Sequence, residues 1–180
     1  MKAILGTALL SAGLFTACAP LGTKSKFNAA VPLNGITNVA LTISSVELPQ
    51  GVTAQQADSA FVKEVATQLA AATGWRVTYV GEANAVLQKA TTLLQEGNYQ
   101  ALAHAELQLR SYGVMRKAPR FNAWTRMQIF KIPEKQLLGE SHFNTLMGKS
   151  YGVHPELPTA ILDGVTGLMP PWQKRTHPTQ

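Results

Sequence analysis

Cysteine and charge are both scarce in this chain of 180 residues. It has one cysteine, which excludes an internal disulfide and any metal cluster built from several cysteines. Charged residues make up 14% of the chain, against roughly 25% in a typical globular protein. Hydrophobic residues make up 46% and the mean hydropathy is +0.01, so the chain is too apolar to be disordered throughout. This length indicates a single domain.

Long apolar runs are also few. Near the N-terminus, Lys2 precedes an uncharged and largely apolar stretch over residues 3–15. The stretch is shorter than the ~20 residues that a membrane-spanning helix needs, and small residues follow it. This arrangement is typical of a signal peptide, so we predict that residues 1–17 are removed. Elsewhere the sequence has no run of about 18 apolar residues, so a second membrane element is not predicted.

The only cysteine, Cys18, ends this segment. The sequence FTAC at residues 15–18 resembles the lipobox of bacterial lipoproteins, with Phe15 in place of the commoner leucine. The resemblance implies cleavage before Cys18, a diacylglyceryl group on its sulfur and a third acyl chain on its amine. Stable membrane anchoring needs at least two such signals, and three acyl chains supply more than that. Ala19 resembles an outer-membrane sorting residue. The resemblance therefore implies a lipid anchor in the outer membrane, a domain facing the periplasm and no nucleic-acid partner.

Three further segments follow from composition. Residues 18–36 begin with the cysteine that is expected to carry lipid. Proline and glycine recur among the polar residues that follow it, which predicts a flexible tether. Residues 37–170 are predicted to form one domain. The end of the chain, residues 171–180, is predicted to be a polar and basic tail.

Within residues 37–170, periodicity predicts the order β-α-β-α-β-β-β-α. Strands are predicted at 38–48, 75–80, 101–110, 121–132 and 137–147, and helices at 53–73, 82–96 and 159–169. The clearest strand alternates small or apolar residues with polar ones from Ala101 to Arg110. The first helix has an apolar stripe formed by Ala57, Phe61, Val65 and Leu69. The order predicts an α/β (α+β) two-layer sandwich, with a mixed sheet of about five strands and helices on one face.

This pattern resembles the small periplasmic domains of envelope-assembly lipoproteins, namely the PelC type and the N-terminal domain of TolB. The comparable residues are 39–46, 55–69, the Gly74-Trp75 pair and 101–109. The chain departs from that pattern where the second helix ends in Gly97-Asn98 and where a basic loop covers residues 115–120. A likeness of fold alone does not establish a function.

The candidate catalytic and metal-binding residues lack the neighbouring sequence that such sites require. The sequence GKSYG at residues 148–152 matches the G-x-S-x-G nucleophile motif, but prolines follow where that motif requires a helix. A loop is the favoured interpretation, and a small periplasmic hydrolase using Ser150 is the alternative. His104 and His142 could share the polar face of the sheet with two glutamates, Glu106 and Glu140, but their spacing matches no metal motif. We predict neither an enzyme nor a bound metal or cofactor.

Basic residues cluster around one predicted hairpin, with an aromatic residue nearby. Arginine and tryptophan are enriched at interfaces, so this cluster is the candidate interaction surface. An ordinary solvated loop, a site for an anionic glycan or lipid, and a core position for the tryptophan are the alternatives. The residues of this surface are Arg110, Arg116, Lys117, Arg120, Trp124 and Arg126.

The lipobox, the low charge and the lack of a convincing catalytic group together favour one function. We expect a non-catalytic outer-membrane lipoprotein whose periplasmic domain is a subunit of an envelope assembly or export complex. Its expected partner is an envelope protein or further copies of the same chain.

Overall fold

The computed structural model describes residues 23–44, 48–49, 52–83, 96–115, 118–145 and 156–177. These residues form six strands and three helices. The strands are β1 (Lys24–Phe27), β2 (Asn38–Ile43), β3 (Arg76–Glu82), β4 (Ala101–Met115), β5 (Ala118–Lys131) and β6 (Gln136–Asn144). The helices are α1 (Ala54–Thr73), α2 (Leu157–Thr166) and α3 (Pro170–Thr176).

The strands form one open, mixed sheet in the order β1-β6-β5-β4-β2-β3. β2 is parallel to both of its neighbours, whereas β4, β5, β6 and β1 pair with one another antiparallel. The longest pair joins β4 to β5 and runs from Ala101 opposite Lys131 to Met115 opposite Ala118. The predicted α+β fold with a mixed sheet is confirmed, with six strands instead of about five.

Alternation along the strands decides which face of the sheet is buried. In β4, five side chains at alternate positions are at most 3% exposed: Ala101, Ala103, Ala105, Leu107 and Leu109. The residues between them are half-buried or exposed. β5 continues this pattern with Ala123, Met127 and Ile129, which are fully buried. The predicted division into one apolar and one polar face is therefore confirmed.

The helices pack on the apolar face. α1 buries the predicted stripe completely, and Gly74 ends the helix in the left-handed conformation (φ 74°) that glycine adopts without strain. α2 lies so close to β5 that a Cβ on Gly164 would be 3.0 Å from the Cβ of Ala123. The Thr125 hydroxyl donates a hydrogen bond to the Gly164 carbonyl at 2.8 Å, which fixes α2 on the sheet.

Part of the predicted tether belongs to the folded domain. Lys24–Phe27 forms strand β1, which pairs antiparallel with β6 at one edge of the sheet. Val31, Leu33 and Ile36 are then buried in the core cluster, each at most 9% exposed. The prediction of a flexible tether over 18–36 is wrong for these residues, because their apolar side chains contribute to the core.

The predicted tail also begins inside the fold. Pro170 and Pro171 start helix α3, because proline is tolerated in the first turn of a helix. The Trp172 side chain is fully buried, its Nε1 donates to Ser141 Oγ at 2.9 Å, and its ring meets Phe27 edge-on. Trp172 thus fixes the end of the chain to the sheet. Residues 173–176 are polar and basic as predicted, but they belong to helix α3 of the folded domain.

Other predictions concern the ends of the elements or residues outside the described ranges. A basic loop was expected over residues 115–120, but β4 continues to Met115 and β5 begins at Ala118. In the described part of the chain, every helix is too short or too polar to cross a membrane. The calculated structure does not describe the predicted signal peptide at 1–17, Cys18, most of the helix predicted at 82–96, Arg116, Lys117 or Ser150.

Candidate functional site

The face of the sheet opposite the described helices is the candidate functional site, which we call the open face. Its side chains alternate with the core residues along β4, β5 and β6, and most of them are half-buried. It is formed by Leu102, His104, Glu106, Gln108 and Arg110 on β4, by Trp124, Arg126, Gln128 and Phe130 on β5, and by Glu140 and His142 on β6.

Ion pairs connect three strands at the centre of the open face. Arg126 Nη1 is 3.5 Å from Glu106 Oε2, and Arg126 Nε donates to Glu140 Oε1 at 3.0 Å. The strand register explains this arrangement, since Arg126 lies directly opposite Glu106 and diagonally from Glu140. The three side chains are between 17% and 31% exposed, so water screens their attraction less than on a free surface.

A histidine lies at each end of this arrangement. His104 Nε2 is 3.4 Å from Glu106 Oε1, and the ring also hydrogen-bonds with the hydroxyls of Thr42 and Ser44, each at 3.1 Å. His142 contacts Glu140 on β6. We refer to the five residues His104, Glu106, Arg126, Glu140 and His142 as the ion-pair chain.

Two opposing effects act on the pKa of Glu140. Burial alone would raise the pKa of its carboxyl group. Hydrogen bonds from Arg126 and Gln128, together with the positive charge of Arg126, outweigh burial and hold the pKa below its ordinary value. Gln128 Nε2 donates to Glu140 Oε2 at 3.2 Å. Both carboxylate oxygens are therefore bonded, and Glu140 is held in its charged form.

In the sequence, these two histidines and two glutamates are candidate ligands for a metal ion. The structure brings all four onto one face, but the guanidinium of Arg126 lies between the two carboxylates. Within the described ranges, groups of three or more candidate metal ligands are not found. The arrangement suits recognition through charge and hydrogen bonds, because its groups already hold one another in place.

The structure separates the residues of the predicted interaction surface. Trp124 and Arg126 lie near the centre of the open face and are half-buried, so Trp124 is not a core residue. The Trp124 ring is tilted against the His142 ring, with their centroids 5.8 Å apart. Arg110 is exposed and Arg120 is half-buried, and both lie farther along the β4–β5 hairpin. Arg116 and Lys117 lie outside the described residues.

Sequence reasoning missed two lysines on the open face. In β1, Lys24 lies opposite His142 and Lys26 lies opposite Glu140, and both lysines are exposed. They therefore extend the open face to the edge of the sheet. Four residues with the sequence KSKF are too short to establish an alternating pattern, and neighbouring polar residues indicated a tether.

Comparisons by sequence and by structure give different results. No protein-family model matches the chain, and no curated protein matches it in sequence. Solved structures do match. The PelC dodecamer from Paraburkholderia phytofirmans has a TM-score of 0.55 at 12% identity, over 84% of this chain and 96% of that one. A variant of the same dodecamer has a TM-score of 0.56 at 11% identity, over 84% and 98% of the two chains.

A third structure is less similar. Lipoprotein GNA1162 from Neisseria meningitidis has a TM-score of 0.42 at 11% identity, and the match covers 60% of this chain and 81% of that one. At such low identities, structural likeness is evidence of a shared fold alone. The chain thus has a fold similar to that of PelC, as the sequence pattern predicted.

Proposed function

We propose that this protein is a non-catalytic lipoprotein of the outer membrane, anchored by lipid on Cys18. Its domain faces the periplasm and binds a partner through the open face, as a subunit of an envelope assembly or export complex. The observation that carries this proposal is the open face, where a preorganised polar surface covers three strands and the described helices all lie on the other side.

The sequence before the domain supports the anchor. Cys18 follows a signal-like segment with lipobox residues, and the first strand begins at Lys24. Only a few residues therefore separate the proposed lipid from the folded domain. Such a short connection holds the domain at the membrane surface, where a partner in the same envelope layer meets it.

The composition of the open face supports binding without catalysis. Arg126 and Trp124 are residue types that are enriched at protein interfaces, and both are partly buried and held by neighbours. The positive charge of Arg126 offsets part of the negative charge of Glu106 and Glu140, which lowers the cost of covering them with a second protein. Further copies of this chain are one candidate partner, in keeping with the dodecamers described for PelC.

A cellular experiment tests the anchor and the binding face together. We expect the wild-type protein in the outer-membrane fraction and Cys18→Ser in the soluble periplasmic fraction, because the serine hydroxyl cannot form the thioether. In the wild-type background, a photo-crosslinking amino acid at Gln108 on the open face should give a discrete product containing this chain. Mass spectrometry of that product would identify the second component.

The matched control places the same crosslinker at Lys63, which is exposed on α1, on the helical side of the domain. A product from position 63 with none from position 108 would contradict the assignment of the binding face. A Cys18→Ser protein that is still processed and membrane-bound would contradict the lipid anchor.

A further inference from the structure

The direction of the strands shows on which side the chain enters the domain. β1 and β5 run in the same direction, because each is antiparallel to β6. The chain that precedes Lys24 therefore enters from the end of the sheet at which β5 begins, which is the end formed by the β4–β5 hairpin. The hydroxyl of Thr23 donates a hydrogen bond to the Gly167 carbonyl, which fixes this entry point beside the end of α2.

The β4–β5 hairpin projects from the sheet at this same end. Lys24, His142 and Arg126 lie side by side in one row across β1, β6 and β5. β6 ends at Asn144, two residues beyond that row, whereas β4 and β5 remain paired as far as Met115 opposite Ala118. We call the described residues 111–115 and 118–120 the hairpin end. Among the described residues, no third strand pairs with it there.

Chain length relates the hairpin end to the lipid anchor. From Lys24 back to Cys18 the chain can reach at most about 22 Å when fully extended. From Arg126 to Ala118, β5 rises about 26 Å in the same direction. The hairpin end therefore reaches as far from the row as Cys18 can, whatever path residues 18–22 take. A bilayer that holds the acyl chains of Cys18 can therefore lie no farther from Lys24 than about 22 Å. If it lies on the side from which the chain enters, the hairpin end reaches it.

Charge along this part of the chain suits a lipid surface. Between residues 110 and 120 the sequence has four basic residues and no acidic ones. Arg110 is exposed in β4 at the base of the hairpin end. Anionic lipid headgroups attract such a segment, and the attraction is strongest within a Debye length of the surface.

We propose that the hairpin end contacts the headgroups of the bilayer in which Cys18 is anchored. This inference rests on the proposed lipid anchor and adds the orientation of the domain. The β4–β5 hairpin end faces the membrane, and the turn between β5 and β6 at residues 132–135 faces away from it. The strands then run roughly perpendicular to the membrane. A neighbouring protein in the same membrane can therefore approach the open face from the side.

The lipidated protein offers a direct test, because lipid blocks the sulfur of its only natural cysteine. A Ser111→Cys variant then carries one reactive thiol at the hairpin end, and Glu134→Cys carries one in the opposite turn. Both native residues are exposed and lie about 33 Å or more apart along β5. Each variant is labelled with an environment-sensitive fluorophore and placed in vesicles of phosphatidylethanolamine and phosphatidylglycerol.

Lipids with a spin label at the headgroup should quench most of the fluorescence at position 111 and none at position 134. The mass of the purified protein is measured first, because a missing lipid would overturn the proposed anchor together with this inference. If the lipid is present and position 111 is not quenched, the orientation alone is wrong. Energy transfer between labels at position 111 without headgroup quenching would also overturn it, since the hairpin ends would then contact one another.

A second label position tests whether the quenching result depends on the substitution at position 111. Arg110→Cys places the fluorophore one residue earlier, at another exposed position of β4. It should also be quenched, although less strongly, because this change removes one of the four basic residues. Replacing phosphatidylglycerol with phosphatidylcholine should weaken quenching at position 111 if the basic residues contribute. Unchanged quenching at both sites would contradict the role of charge in the contact.

Discussion

The two faces of the sheet are held by different forces, although the same strands build both. On the helix-covered face, large apolar side chains such as Phe61, Met127 and Trp172 are fully buried. On the open face, the ion-pair chain is half-buried and held by charges and hydrogen bonds. Apolar burial contributes more stability per residue than partly exposed ion pairs. The comparison indicates that stability comes mainly from the helix-covered face, and the proposed binding role concerns the other face.

The largest expected effect comes from comparing two tryptophans, one on each face. Trp172→Ala should lower the free energy of unfolding by about 3–5 kcal/mol, because it leaves a cavity and removes the hydrogen bond to Ser141. Trp124→Ala, on the open face, should cost about 1 kcal/mol or less, because Trp124 is only half-buried. Urea unfolding of both variants measures the difference.

Equal losses at the two tryptophans would contradict the division between the faces. Trp172→Phe separates the two contributions at that site, since it keeps most of the packing and loses the indole hydrogen bond. Its expected loss is about 1–2 kcal/mol.

An intermediate effect is expected at the centre of the ion-pair chain. Arg126→Gln removes the cation between Glu106 and Glu140 and leaves two partly buried carboxylates without it. We expect a loss of about 1–3 kcal/mol, measured by urea unfolding at neutral pH. Arg110→Gln is the matched control on the same face, and it should change stability by no more than about 0.5 kcal/mol, because Arg110 is exposed. The ion-pair chain would have no structural role if the two variants behaved alike.

The smallest effect is a dependence on pH at Glu140. Because the native pKa of Glu140 lies below the ordinary value of 4.5, its charged form stabilises the fold above that pH. This stabilisation is lost as the pH falls through the lowered native pKa. The advantage of the wild type over Glu140→Gln should therefore be present at neutral pH and shrink as the pH falls below 4.5.

Urea unfolding of the two proteins at several pH values measures this advantage. Glu96→Gln, at an exposed position, provides the comparison for a glutamate outside the ion-pair chain. An advantage over Glu140→Gln that stays constant with pH would show that the Glu140 charge contributes nothing.

Structural features that depend only on neighbouring residues could be predicted from the sequence, and features that depend on distant residues could not. The helix α1 and the strands β4 and β5 follow from periodic patterns, which depend only on neighbouring residues. The pairing of His104 with Glu106 could be anticipated, since they lie two apart on one strand. The position of Arg126 between two glutamates could not, because it depends on the register of three strands.

The sequence by itself determined the signal-like segment, the likeness of residues 15–18 to a lipobox, and the division of the long strands into an apolar and a polar face. These features are local, since composition and alternation operate within a few neighbouring residues. Only the tertiary structure decided that β1 joins the sheet, that Trp172 is buried against Ser141, and that the hairpin end lies on the side where the chain enters. Each of these depends on contacts between distant segments. The buried apolar area or the hydrogen bond gained there outweighs a weak local preference.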